Sequence, residues 1–152
     1  MFLNIFIGLI TVAITVVIQG YGTTYLSKRI VDKLYNLPYD KFNKDTARIL
    51  IITSLFLLLL NCSQAILWAL MYLYVPNMTE FESLEQAIYF SFVTFTTLGY
   101  GDITVHTDFR ILSGIEAING MLLIGWSTAL MYATVQAIWK RNWKNEQTKG
   151  SN

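Results

Sequence analysis

The residues arranged to do chemistry in this 152-residue chain lie in one short run, Thr94-Phe95-Thr96-Thr97-Leu98-Gly99-Tyr100-Gly101-Asp102. The run contains no nucleophile–base pair. No phosphate loop, metal cluster or catalytic triad occurs elsewhere, which speaks against an enzyme. What the run does offer is backbone. Gly99 and Gly101 tolerate φ > 0 without a Cβ clash, so the chain can alternate in hand and point successive carbonyl oxygens to one side. A Gly-Tyr-Gly alone is an ordinary turn, and its meaning depends on the elements that hold it.

Those elements are set by where charge is missing. Hydrophobic residues make up 54% of the chain and charged ones 14%, against about 25% charged in ordinary soluble domains. No Asp, Glu, Lys or Arg occurs in residues 1–27 or 49–79, and Glu116 is the sole charge in residues 111–139. About 20 apolar residues span a bilayer core as a helix, so three such stretches exclude a soluble domain. Residues 1–27 are rich in Ile, Val and Thr, which favour strand in water, but in lipid the backbone must bond within its own segment, so a helix is expected. A cleaved signal peptide fits poorly, because no basic residue precedes the run and the run is too long. Residues 28–48 form a basic linker, either a surface-lying amphipathic helix or a solvated loop, with Pro38 as a stop signal. Cys62 stands alone inside the second stretch and reads as a small hydrophobe. A net charge of +1 gives no general attraction to nucleic acid.

Basic residues favour the cytoplasmic side. Six lie in 28–48 and four in the tail, whereas residues 76–110 hold Arg110 alone against Glu80, Glu82, Glu85, Asp102 and Asp108. The N-terminus and the 76–110 segment are therefore expected outside, and the linker and C-terminus in the cytoplasm. One apolar piece remains. Residues 86–101 are uncharged, but 16 helical residues cover only about 24 Å, short of the roughly 30 Å core. Both ends of the piece lie on one side, so it must dip in and return. Such backbone is tolerated only when buried in protein or lining a water-filled path.

With its setting, the run Thr96-Thr97-Leu98-Gly99-Tyr100-Gly101-Asp102 resembles the filter of the potassium channel family, Thr-Val-Gly-Tyr-Gly followed by Asp, with Leu98 in the place of Val. The resemblance covers residues 49–140 and leaves out the first stretch. It implies an all-α membrane protein: three transmembrane helices plus a re-entrant pore helix and filter loop, assembled as a four-fold homotetramer in membrane lipid. The implied organisation is an extra N-terminal helix (1–27), the linker (28–48) and a pore domain (49–140), then a basic tail (141–152). Within the pore domain lie an outer helix (49–75), a pore helix (83–96) capped by Ser83, the filter (97–101) and an inner helix (111–139).

The resemblance also assigns roles. The carbonyls of Thr97, Leu98, Gly99 and Tyr100, with the Thr97 hydroxyl, would replace the water shell of K⁺ ions, and Gly101 would complete the filter. Thr96, Asp102, Tyr89, Phe90 and Glu116 are expected to support it. Many relatives have Trp at the positions of Tyr89 and Phe90, the second bonding the Asp. Phe90 cannot make that bond, so bracing of Asp102 is expected to run through Tyr89 or water. Met121, Ile124 and Thr128 are placed at the inner cavity. Gly120 and Gly125 are placed as hinge residues, or as close-packing positions in the membrane.

Glu116, an acid inside a span, defaults to a functional role. A brace behind the filter, bonded to a pore-helix hydroxyl, an amide or Arg110, is the main reading, and proton sensing the alternative. His106 reads as a solvated loop residue. The first stretch is expected to pack through Gly8, Ala13, Gly20 and Gly22, on its own subunit or a neighbour. No helix carries Arg or Lys at every third position, and no soluble regulatory domain or organic cofactor is indicated. The expected function is passive K⁺ conduction across the plasma (inner) membrane. A weakly selective cation channel and a non-conducting regulatory subunit are the alternatives.

Overall fold

In the computed structural model of the chain, residues 2–36, 42–75, 80–105 and 109–149 are described. They form four helices: α1 (Phe2–Asn36), α2 (Phe42–Tyr74), α3 (Leu84–Phe95) and α4 (Arg110–Lys149). No strand occurs among the described residues. Three helices contain stretches long and apolar enough to cross a membrane, Phe2–Asp32, Thr46–Tyr74 and Arg110–Arg141. The remaining helix, α3, has 12 residues and is about 18 Å long.

Side-chain neighbours give the helix directions. Gly8 of α1 lies against Leu112 and Ile115 of α4, Gln19 bonds Ser127, and Leu26 and Ile30 share a cluster with Ile138, so α1 and α4 run parallel. Gly22 meets Leu60 and Ile30 clusters with Ile49, so α2 runs the other way. The start of α1 and the segment between α2 and α4 therefore lie at one end of the bundle. The α1–α2 connection and the end of α4 lie at the other. α1 packs against α4 and α2, and α3 fills the space between α2 and α4. One core cluster, with Trp68, Tyr72, Phe90, Phe95, Leu112 and Leu123, sits around α3. The second, with Leu26, Ile30, Ile49, Leu57 and Ile138, sits at the opposite end.

The helices outrun the apolar stretches that announce them. α1 continues to Asn36 through half of the expected linker, α2 starts at Phe42 rather than 49, and α4 runs on through the expected tail to Lys149. The reason is that charge marks where a helix leaves lipid, not where it ends. No Gly or Pro interrupts residues 27–36 or 126–149, and Ile30, beyond the first apolar stretch, is still buried with Ile49 and Ile138. Pro38, read as a stop signal, and His106 lie outside the described residues, as do Pro76 and Asn77.

α1 is amphipathic in the sense opposite to a soluble helix. Asn4, Thr11, Thr15, Gln19 and Thr23 are buried, whereas Phe2, Leu3, Phe6, Leu9, Val17 and Tyr21 are exposed. Against hydrocarbon the outer face should be apolar, and polar groups should be paired inside. Of the four small residues expected to pack, Gly8 and Gly22 meet neighbouring side chains, Gly20 meets nothing within 4 Å and Ala13 is exposed. The contact is with the chain's own α4 and α2.

Gly120 of α4 is a close-approach position. A Cβ there would lie 1.9 Å from the Phe95 carbonyl oxygen and 2.7 Å from its carbon, so only glycine lets α4 pass under the last turn of α3. Overpacking of a well-packed site costs typically about 1–3 kcal/mol and occasionally more, and here the obstacle is backbone. Gly120→Ala is predicted to lose about 3 kcal/mol. Gly20→Ala, in open space, should gain up to about 1 kcal/mol from helix propensity. Thermal midpoints of the detergent-solubilised protein check both, and a Gly120→Ala midpoint equal to wild type would contradict the packing.

Candidate functional site

The site begins at the start of α3. The Ser83 hydroxyl accepts from the Gln86 N–H at 3.2 Å, and Gln86 Oε1 accepts from the Glu82 N–H at 3.0 Å. Two otherwise unpaired amides are thus capped, with Glu85 in the first turn near the positive helix end. At the far end Thr96 closes the helix, its hydroxyl donating to the Phe92 carbonyl at 2.7 Å.

The chain then folds back on the last turn. The Thr97 N–H donates to Thr94 O at 2.9 Å, and the Leu98 and Gly99 N–H groups both donate to Val93 O, at 2.9 and 3.2 Å. Positive φ falls on every second residue: 60° at Thr97, 59° at Gly99 and 78° at Gly101. The two glycines do this freely. Thr97 is β-branched, and this conformation is strained for it. Its positive φ is not foreshadowed by residue type.

This backbone separates donors from acceptors. The amides of Thr97, Leu98 and Gly99 are used up on α3, while no hydrogen bond among the described residues ends on the carbonyls of residues 97–101. All five residues are exposed on the single chain, Tyr100 to 67%. An exposed run of unpaired carbonyl oxygens with alternating hand is a cation-ligating surface in chemical terms. It carries partial negative charge without a titratable group.

Three sets of contacts hold this run. The Tyr89 hydroxyl of α3 donates to Asp102 Oδ2 at 2.8 Å, tying the exit of the run back to the helix that precedes it. That acceptor raises the Tyr89 pKa above the ordinary tyrosine value, so the phenol stays protonated, and a donor, at neutral pH.

Behind α3, Glu116 is wholly buried and joins three helices. The Tyr72 hydroxyl of α2 donates to Glu116 Oε2 at 2.6 Å, and the Ser91 hydroxyl of α3 bonds Glu116 Oε1. Ser91 also lies 2.6 Å from the Ala65 carbonyl of α2. Arg110 is not in this set and lines a recess of about 500 Å³ beside Asp102, Thr97 and Tyr89.

Phe90 forms the third. It packs edge-on to Tyr72, with ring centroids 5.4 Å apart, and lies 5.3 Å from Phe81. It therefore fixes the ring that bonds Glu116 instead of bonding Asp102.

The remaining expected residues lie on α4. Gly120 faces α3, whereas Gly125 has nothing within 4 Å. Met121, Ile124 and Thr128 are exposed on the single chain, and the Thr128 hydroxyl donates to Ile124 O at 2.9 Å.

Two groups are absent from the sequence-based reading. Tyr72 was invisible as a partner, because it is an aromatic at the end of a span, whereas Ser91 of α3 supplies the kind of hydroxyl named among the expected partners of Glu116. A polar set at mid-span, Thr15, Gln19, Asn61, Gln64, Asn119 and Ser127, is joined by hydrogen bonds between helices. Its signal was the four-residue spacing of Thr11, Thr15, Gln19 and Thr23.

A family model described as ion channel matches residues 49–137. The chain belongs to this ion channel family. The match takes in α3, the run that follows it and most of α2 and α4, and leaves α1 outside. A curated relative, the potassium voltage-gated channel protein Shal of Drosophila melanogaster, is 31% identical over 74 residues. That is 48% of this chain and 13% of the relative, so the channel described here spans a small part of that protein. No solved structure matches.

Removing the Glu116 carboxylate strands the Tyr72 hydroxyl, whereas Ser91 keeps Ala65 O. An orphaned buried hydroxyl costs about 1–3 kcal/mol. Glu116→Ala is predicted to lower the thermal midpoint accordingly, and Glu116→Gln, which keeps an accepting oxygen, to lower it less. If Glu116 serves as a brace bonded to Tyr72 and Ser91 and not as a sensor, Glu116→Gln should leave the dependence of current on external pH as in wild type. A flattened pH response would favour proton sensing over bracing.

Proposed function

We propose that four copies of this chain surround one axis to form a K⁺-selective channel, with residues 97–101 as the narrow part of a passive conduction path. K⁺ is the substrate. The observation that carries the reading is the alternating hand at Thr97, Gly99 and Gly101 together with carbonyls on which no hydrogen bond among the described residues ends. In a membrane such backbone must be buried in protein or line a water-filled path, and the segment that holds α3 leaves α2 and enters α4 at one end of the bundle. A re-entrant α3 satisfies this when further copies close around the exposed run. Stacked rings of four carbonyls then stand in for the water shell of an ion, with the Thr97 hydroxyl adding oxygens at the inner end.

The other residues follow from that placement. Tyr89 and Asp102 brace the outer end of the filter, and Glu116, with Phe90 against Tyr72, holds α3 from behind. The C-terminal end of α3, negative in its dipole, points toward the ion path. Met121, Ile124 and Thr128, exposed on one face of α4, line the inner cavity. The basic residues between α1 and α2 and in the last part of α4 place those ends in the cytoplasm of a plasma (inner) membrane, with lipid against α1. The potassium-channel name of the 31% identical relative and the Gly-Tyr-Gly-Asp run support K⁺ over less selective conduction.

Purified protein in planar bilayers, with K⁺ on one side and Na⁺ on the other, tests the reading. A reversal potential displaced toward the K⁺ side by more than about 59 mV, the amount for a tenfold permeability ratio, is expected, and Gly99→Ala should abolish the displacement or the current. A reversal near zero would identify a weakly selective channel. Protein that inserts but passes no current would identify a non-conducting subunit.

A further inference from the structure

The one helix wholly outside the family match is α1, and its buried face carries Asn4, Thr11, Thr15, Gln19 and Thr23. Thr15 and Gln19, one turn apart and wholly buried, both reach α4. The Asn119 amide donates to Thr15 Oγ1 at 2.9 Å. The Gln19 amide lies 3.0 Å from Ser127 Oγ and 3.3 Å from the Leu123 carbonyl. From α2, Gln64 donates to Gln19 Oε1 at 2.8 Å and Asn61 to Ser127 Oγ at 3.0 Å. The set lies near the middle of all three membrane-length stretches.

Its position along α4 is specific. Asn119 precedes Gly120, and Ser127 follows Gly125, so one face of α1 bridges the stretch containing both glycines. By helix physics that stretch is the most easily bent part of α4. Glycine weakens a helix interior. The Ser127 and Thr128 hydroxyls also turn back on the Leu123 and Ile124 carbonyls, at 3.0 and 2.9 Å, a pattern that bends helices. Yet α4 is one unbroken helix over 40 residues. If α4 bent away from α1, buried amides would lose partners in a medium that offers no replacement.

We infer that α1 is a splint, with Thr15 and Gln19 as positioning residues that hold α4 straight across Gly120–Gly125 and so set how often the pore conducts. This rests on the channel reading above. The mechanism is a population shift. The hydrogen bonds exist in the straight arrangement and not in a bent one, so they bias the equilibrium by their own strength. Hydrogen bonds between membrane helices are individually modest, and losing the two that Gln19 makes to α4 should move the equilibrium roughly tenfold.

The test uses full-length protein in planar bilayers, with single-channel open probability and K⁺/Na⁺ permeability ratio read together. Gln19→Leu is expected to change open probability roughly tenfold and Thr15→Val roughly threefold, each with a permeability ratio within twofold of wild type. Because Gln19 and Ser127 share a bond, Gln19→Leu with Ser127→Ala should change open probability by less than the product of the two single changes. Val17→Ala, on the lipid-facing side of α1, should match wild type. Should Gln19→Leu fail to assemble, Thr15→Val, which keeps the side-chain shape, carries the test. Open probabilities within twofold of wild type in the assembled variants, or an equal change in Val17→Ala, would overturn the splint and leave α1 an anchor. Wild-type protein that inserts but passes no current would overturn the channel reading itself, and the splint with it, before any variant is compared.

Discussion

In a membrane, a backbone carbonyl without a hydrogen-bond donor is costly unless something else takes its place. This chain places several together. The amides of Thr97, Leu98 and Gly99 turn back to close the end of α3, the hand alternates at residues 97, 99 and 101, and no hydrogen bond among the described residues ends on the carbonyls of this run. Much of the remaining structure serves to keep that one expensive segment in place. In the proposed channel, a cation that sheds water complements this run and further copies enclose it.

The supports differ in chemistry according to depth. At the exposed exit the brace is Tyr89 to Asp102, a bond to a charged acceptor. Behind α3 it is the buried carboxyl group of Glu116 bonded to two hydroxyls, with aromatic rings holding one of those hydroxyls in position. Under the last turn it is the absence of a side chain at Gly120. The first two fix α3 through directional bonds, and the third lets two backbones approach. At mid-span, polar side chains of α1 tie α4 to α2. A helix outside the family match is therefore connected to the helix that would line the pore.

What the sequence made legible was what charge and covalent geometry dictate. The three spans, a fourth piece too short to cross, the Ser83 cap and the positive φ at Gly99 and Gly101 all follow from residue type and spacing. Helix ends were misjudged, because the lipid boundary is written in charge and the helix end is not. The positive φ of Thr97 was hidden, since a β-branched residue adopts it only when its surroundings compel it. The partners of Glu116 lie 25 and 44 residues away in sequence, a separation that no periodicity encodes. The α1 stripe was legible in its spacing, but its meaning depends on which helix it meets.

The central claim is that the carbonyls of Thr97, Leu98, Gly99 and Tyr100 act as ligands for dehydrated K⁺. Isotope-edited infrared spectroscopy of reconstituted protein labelled at the Leu98 and Gly99 carbonyls reads this directly, with a Val105 label as the internal reference. Replacing Na⁺ with K⁺ should shift the Leu98 and Gly99 bands and leave the Val105 band in place. Bands at Leu98 and Gly99 that stay the same in both ions would contradict the account.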